Sequence, residues 1–336
     1  MLDCSIVKCA SQTQSSLNLI SSTDYFYPLV DDPYIQGRIG ATNVISDVYS
    51  LGIANIDNIL MILAASSNIE QKEHRDIITS EMMRGFIDTC SLADTRVTGG
   101  HSVRNPWPII GGCAQAVVSD DDYISPYNGQ RGDYLVLTKP LGTQVTVNVA
   151  EWKSLNNDRY KTLISEGILD DVALDTMTNI GKGSMMKLNR NAATLMVSDR
   201  YKEYVNGATD VTGFGLLGHA RNLSIHQHAN TKSNGRDGIK LVIDRMPIIQ
   251  HTDIVNERFN GMFKLDSGLS AETSGGLMIM IRDKKVAEDF VEELSEMDGW
   301  PSWIIGQVVE CEYPDGLTMD KAAMIDSDCE FVNVWG

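Results

Sequence analysis

The chain has 336 residues, 43% hydrophobic and 22% charged. That composition excludes disordered, collagenous and coiled-coil architectures and sets an expectation of two domains. Acidic residues outnumber basic ones 45 to 28, for a formal net charge of -17. With no cluster of Lys and Arg to displace counterions, direct binding of nucleic acid is not expected.

No apolar run reaches the roughly 18 residues of a membrane span, and Met1 to Cys4 opens no secretory leader. The six cysteines are scattered without C-x-x-C spacing, which fits a reduced, cytoplasmic protein. In chain order, Leu17 to Val30 is strand-like. Asp32-Pro33 reads as an N-cap followed by proline at the first helical position. The helix it starts runs through Ile35, Ile39, Val44 and Val48 and stops near Gly52. A second helix covers Glu70 to Leu92, and strands follow at Arg96 to Thr98 and Pro108 to Val118. The polar stretch SDDDYISPYNGQRGD, Ser119 to Asp133, marks a boundary between an amino-terminal domain, 1–120, and a carboxy-terminal domain, 130–336. Beyond it, Tyr134 to Leu137 and Leu277 to Ile281 are buried strands, and Asp170 to Val197 and Lys285 to Glu296 are helical. His226 and His228 fall in a polar loop reaching Gly238, with no third ligand at zinc spacing. Strands and helices mix without strict alternation, so the class is α+β.

Four acids stand at strand ends or on a helix face: Asp3, Asp24, Asp47 and Asp210. Asn43 and Asp47, four apart, share one helix face in line with Ile35 and Ile39. A carboxylate there is either hydrogen-bonded to a partner or bound to a cation. Glycines supply the complementary half in Thr98 to Ser102, Asp210 to Gly215 and Thr273 to Gly276. Each is either a tight turn or a place where backbone N–H groups approach an anion. Lys139, just after a buried strand, is either a phosphate contact or a lysine snorkelling to water. Two carboxylates about 4 Å apart repel by about 4 kcal/mol at an effective dielectric near 20, and a polyphosphate adds to this. Mg²⁺ held by a few carboxylates and phosphates resolves the repulsion.

In one continuous order the chain carries Asp3-Cys4, Ser22-Thr23-Asp24, DYFYPLVDDPYIQGRIGATNVISDVYSLG, VTGGHSV, NPW, LTKPLGTQV, LNRNAATLM, ATDVTGFGLLGHA and AETSGGL. Across nearly its whole length this resembles the selenophosphate synthetase family, particularly its eukaryotic members. The wider superfamily, with aminoimidazole ribonucleotide synthetase and thiamine-monophosphate kinase, shares the acidic and glycine skeleton. An ATP-dependent enzyme of thiamine or purine precursors is the alternative, as is a non-catalytic regulatory paralogue.

The resemblance implies the two-domain synthetase-like fold and a homodimer whose amino-terminal domains pair into a β-barrel. It implies ATP and selenide as substrates, Mg²⁺ and K⁺ as cations, and protein partners in the selenocysteine pathway. Asp3, Asp47 and Asp210 match the family's Mg²⁺-binding acids, and Asp24 the acid contacting the metal-nucleotide complex. Gly99, Gly100, His101 and Ser102 match its nucleotide-binding turn. The family's catalytic Cys or selenocysteine and its Lys precede the first metal acid, which puts both upstream of Met1. No residue of this chain is therefore matched to a catalytic role. The chain as it stands is expected to fold and dimerise without making selenophosphate.

Overall fold

The computed structural model describes residues 4–9, 17–231, 238–311 and 317–334. The chain forms two units, one of Leu2–Tyr123 with Met185–Val197, the other chiefly Ile124–Ser184 and Ser198–Gly336. The cut after Tyr123 falls within the polar stretch, and a short segment of the second half of the sequence belongs to the first unit.

The first unit holds a five-stranded sheet and, among the described residues, three helices, the third contributed from later in the chain. Its elements are β1 (Ser5–Lys8), β2 (Leu17–Phe26), α1 (Pro33–Ser50), β3 (Asn58–Ser66), α2 (Lys72–Leu92), β4 (Val97–Asn105) and β5 (Ile109–Ser119). The strand order is β1-β2-β5-β3-β4; β3 and β4 run parallel and the other neighbours antiparallel. Helix α1 begins where its N-cap predicts: the Asp32 carboxylate accepts the amides of Tyr34 and Ile35, and Pro33 follows it. Ile39, Val44, Ile45 and Val48 are fully buried. α1 and α2 cross at glycines, because a Cβ on Gly37 would lie 2.0 Å from the Met82 carbonyl oxygen.

The second unit holds a six-stranded sheet ordered β11-β8-β10-β6-β9-β7. The strands are β6 (Tyr134–Leu137), β7 (Val205–Asp210), β8 (Ile239–Ile249), β9 (Leu277–Ile281), β10 (Trp303–Glu310) and β11 (Ala323–Val334). Every residue of β9 is buried, as an uninterrupted apolar run requires. Helices α3 (Thr143–Ser154), α4 (Asp158–Ser165), α5 (Asp171–Met186), α7 (Gly215–Thr231), α8 (Thr252–Arg258), α9 (Lys284–Asp298) and α10 (Met319–Ala322) complete it, while α6 (Arg190–Met196) lies in the first unit. In α9 the buried residues Ala287, Phe290 and Leu294 follow helical spacing.

Asp170 to Val197 is helical as expected, but in two pieces: α5 ends at Met186 and α6 restarts at Arg190. His226 and His228 lie in helix α7, not in a polar loop, and His228 is buried. Among the described residues no helix is long and apolar enough to cross a membrane.

Candidate functional site

Strand β2 and helix α1 run past each other in opposite directions and meet through polar side chains. Alternate residues of β2, Asn18, Ile20 and Ser22, are buried, and Asp24 continues that face half-buried. On α1 the facing residues are Gln36, Asn43 and Asp47. The Ser22 hydroxyl donates to the Asp47 carboxylate. Asn43 Nδ2 donates to Asp24 Oδ2 at 3.1 Å, and Gln36 Oε1 accepts the Leu29 amide at 2.7 Å. Asp47 is 6% exposed and Asn43 8%. Two carboxylates thus share one helix–strand seam, held by neutral donors. Such hard oxygen donors suit Mg²⁺, which takes one or two carboxylates and completes its shell with water and substrate phosphate. The pair is sufficient for that, although no group of three or more His, Cys, Asp or Glu is gathered among the described residues. Asp3, the third expected acid of this half, lies outside the described residues.

The segment Met185–Val197 docks on another face of α1. Thr42 Oγ1 donates to the Met186 carbonyl at 3.2 Å, and Asn189 Nδ2 donates to Ser46 Oγ at 3.2 Å. Asn189 therefore touches the residue beside Asp47, a role that its sequence context alone did not signal. The one available hint was Asn189-Arg190-Asn191 inside a helical pattern, since asparagine favours helix ends.

Gly99 to Ser102 is not a turn but the middle of β4, the exposed edge strand of its sheet. Gly100 has φ 142°, and a Cβ there would lie 1.9 Å from the Met61 carbonyl oxygen of parallel β3. The glycine serves close strand approach. His101 and Ser102 are exposed on this edge.

In the second unit, three sequence blocks that are far apart in the chain converge where β6 and β7 end and β9 begins. Asp210, 1% exposed, ends β7, and the next amide, Val211, donates to the Gly276 carbonyl at 2.9 Å. Lys139 does not snorkel: it is fully buried and its Nζ donates to the Ser274 carbonyl at 2.6 Å. Ser274 holds a left-handed φ of 47°. Glu272 accepts the amides of Gly142 at 2.7 Å and Thr143 at 2.9 Å, and the Thr143 hydroxyl as well. Its carboxylate thereby caps the start of α3, where the helix dipole favours negative charge. Burial pushes the Glu272 carboxyl up to about 7, against the opposing pull of those donors. Glu272 falls in the AETSGGL block, but nothing local assigned it a role, because its partners lie some 130 residues away.

The family model described as AIR synthase related protein, N-terminal domain, matches residues 2–118, and the corresponding C-terminal domain matches 130–315. The chain is 43% identical over 313 residues to the selenide, water dikinase of Trypanosoma brucei brucei, covering 93% of this chain and 76% of that protein. It is 43% identical over 310 residues to the Dictyostelium discoideum enzyme of the same name, covering 92% and 79%. Among solved structures, thiamine monophosphate kinase from Aquifex aeolicus superposes with a TM-score of 0.63 at 13% identity, over 98% of this chain and 93% of that one. The hydrogenase maturation protein HypE in complex with ATP gives a TM-score of 0.62 at 15% identity, over 88% and 77%. These two likenesses are of fold.

Proposed function

The chain belongs to the selenide, water dikinase family, built on the two-domain fold of AIR synthase related proteins, and from that premise we propose that its reaction is selenophosphate synthesis. Selenide, ATP and water would give selenophosphate, AMP and phosphate, for use in selenocysteine biosynthesis. The observation that carries this reading on the molecule is the α1–β2 seam, with Asp47 and Asp24 held beside each other by Ser22 and Asn43.

Asp47 and Asp24 are the acids of the Mg²⁺-nucleotide site, and Asp210 is the metal-binding acid of the second unit. Bound Mg²⁺ supplies charge that offsets the triphosphate and the carboxylates and polarises the phosphoryl groups. The chain's own contribution is placement. The Ser22 hydroxyl bonds one oxygen of Asp47 and the Asn43 amide one oxygen of Asp24, and the buried face of α1 holds Asp47 on the seam. The exposed His101 and Ser102 on β4 are contacts for the nucleotide. K⁺ joins as a second cation, and the working assembly is a homodimer.

Calorimetric titration with ATP tests the site: binding that requires Mg²⁺ is expected, and equal affinity without Mg²⁺ would overturn it. Phosphorus NMR tests the reaction on the protein as its gene encodes it, with ATP, Mg²⁺, K⁺ and selenide. Selenophosphate and AMP are the expected products. ATP turnover indifferent to selenide would favour another member of the superfamily.

A further inference from the structure

His219 stands near the start of α7 and is 4% exposed. Its Nε2 lies 3.1 Å from the backbone nitrogen of Thr212 and 3.2 Å from the Thr212 hydroxyl. A backbone amide only donates, so Nε2 must accept. The imidazole is then neutral, with its proton on Nδ1. Thr212 is two residues beyond Asp210, in the turn between β7 and α7.

The rest of that turn is held by main-chain groups. Val211 donates to the Gly276 carbonyl at 2.9 Å, and the Thr212 carbonyl accepts from Glu272 at 3.0 Å and from Gly215 at 2.9 Å. His219 is the side chain that takes the remaining Thr212 amide. It is steadied by the Phe214 ring, centroid to centroid 5.6 Å. Gly218 leaves room for that contact, since a Cβ there would lie 2.7 Å from Phe214 Cβ. A change in which ring nitrogen carries the proton would set two donors against each other and release the turn.

We propose that His219 is a positioning residue: by accepting the Thr212 amide as the Nδ1–H tautomer, it fixes the turn that carries Asp210 and so sets that carboxylate for its cation. The proposal rests on the reading of Asp210 as a metal-binding acid. It is tested first without any variant, by ¹⁵N NMR of the imidazoles in the whole chain. The Nδ1–H pattern for His219 is expected, and an Nε2–H pattern would overturn the proposal.

The second arm measures binding of the non-hydrolysable analogue AMPPCP as Mg²⁺ is titrated. His219→Ala leaves the half-buried Thr212 amide without its acceptor and is expected to raise half-saturating Mg²⁺ about tenfold. His219→Gln, whose Oε1 can accept the same amide, is expected to restore most of that loss. If Asp210→Asn shifts the Mg²⁺ requirement and His219→Ala does not, the positioning role falls and the metal reading stands. If Asp210→Asn leaves the requirement unchanged, the metal reading falls and takes the proposal with it. Equal loss in the Ala and Gln variants at every Mg²⁺ concentration would mark a merely structural histidine and overturn the proposal.

Discussion

At the scale of single residues, two kinds of buried or half-buried acid are present, and they predict opposite behaviour. Asp47 and Asp24 sit on one seam with neutral donors, so removing one charge relieves repulsion and leaves the packing intact. Asp47→Asn is therefore expected to cut Mg²⁺-dependent ATP affinity at least tenfold while the melting temperature stays within a few degrees. A large fall in melting temperature with unchanged affinity would make Asp47 structural. Glu272 is the reverse case. Its folded carboxyl is raised to about 7 by burial, so the folded state holds the proton more tightly than the unfolded chain does. Stability linked to Glu272 is then fully present below the ordinary carboxylate range and declines as pH rises towards about 7. Glu272→Gln should flatten that slope in melting curves recorded from acid to neutral pH. It should also cost about 1–3 kcal/mol, because its NH₂ would face the Gly142 and Thr143 donors. An unaltered pH slope in the variant would clear Glu272 of the effect. Asp24 and Asp47 were legible in the sequence because glycine turns, strand ends and the i, i+4 spacing with Asn43 are local signals. Glu272 was not, because its environment is assembled by burial and by partners remote in the chain.

At the scale of elements, legibility follows the same rule. The start of α1 could be read because Asp32-Pro33 acts within one turn. The break between α5 and α6 could not, because what favours it is docking of Asn189 and Met186 onto α1, well over a hundred residues earlier. Gly99-Gly100 suggested a turn because glycine pairs usually do; the need for glycine in fact comes from the neighbouring strand β3. The α1–α2 crossing is likewise written in glycines whose purpose appears only on packing. A Cβ on Gly85 would lie 2.0 Å from the Tyr34 carbonyl oxygen, which is backbone and has little room to yield. Gly85→Ala gains about 1 kcal/mol of helix propensity but forces the two helices apart, and overpacking of this kind costs about 1–3 kcal/mol or more. Net destabilisation of the first unit is expected in urea unfolding. Gly183→Ala in α5 is the control: its Cβ would meet only the Trp300 ring at 3.4 Å, an ordinary contact. Gly183→Ala is expected to be neutral or slightly stabilising. If Gly85→Ala proves as harmless as Gly183→Ala, the close crossing does not hold in solution.

At the scale of the whole molecule, the two sheets differ in how well one chain covers them. In the second unit the edge strand β7 is buried at every position, while the other edge, β11, is exposed or half-buried over most of its length. In the first unit both edge strands are open: β1 is exposed along its length, and on β4 only the two ends are half-buried. Apolar side chains accompany these edges, with Val7 on β1 55% and Val103 on β4 47% exposed, and Tyr25 on the neighbouring β2 60%. An edge strand with unpaired N–H and C=O groups beside exposed valines invites pairing with another copy, and a two-fold arrangement covers the same patch on both. A homodimer formed through the first unit is therefore expected, with a buried interface above about 1,000 Å². Val103→Glu puts a carboxylate into that interface but, in a single chain, only onto an already exposed edge. Compared at a concentration low enough for both proteins to be monomeric, the variant should keep the wild-type urea midpoint of the first unit, and it should shift the dimer constant at least about tenfold towards monomer. Light scattering at micromolar concentration reads both proteins directly. A monomeric mass for the unmodified chain would leave the open edges of β1 and β4 without their expected partner. An unchanged dimer for Val103→Glu would move the interface away from β4.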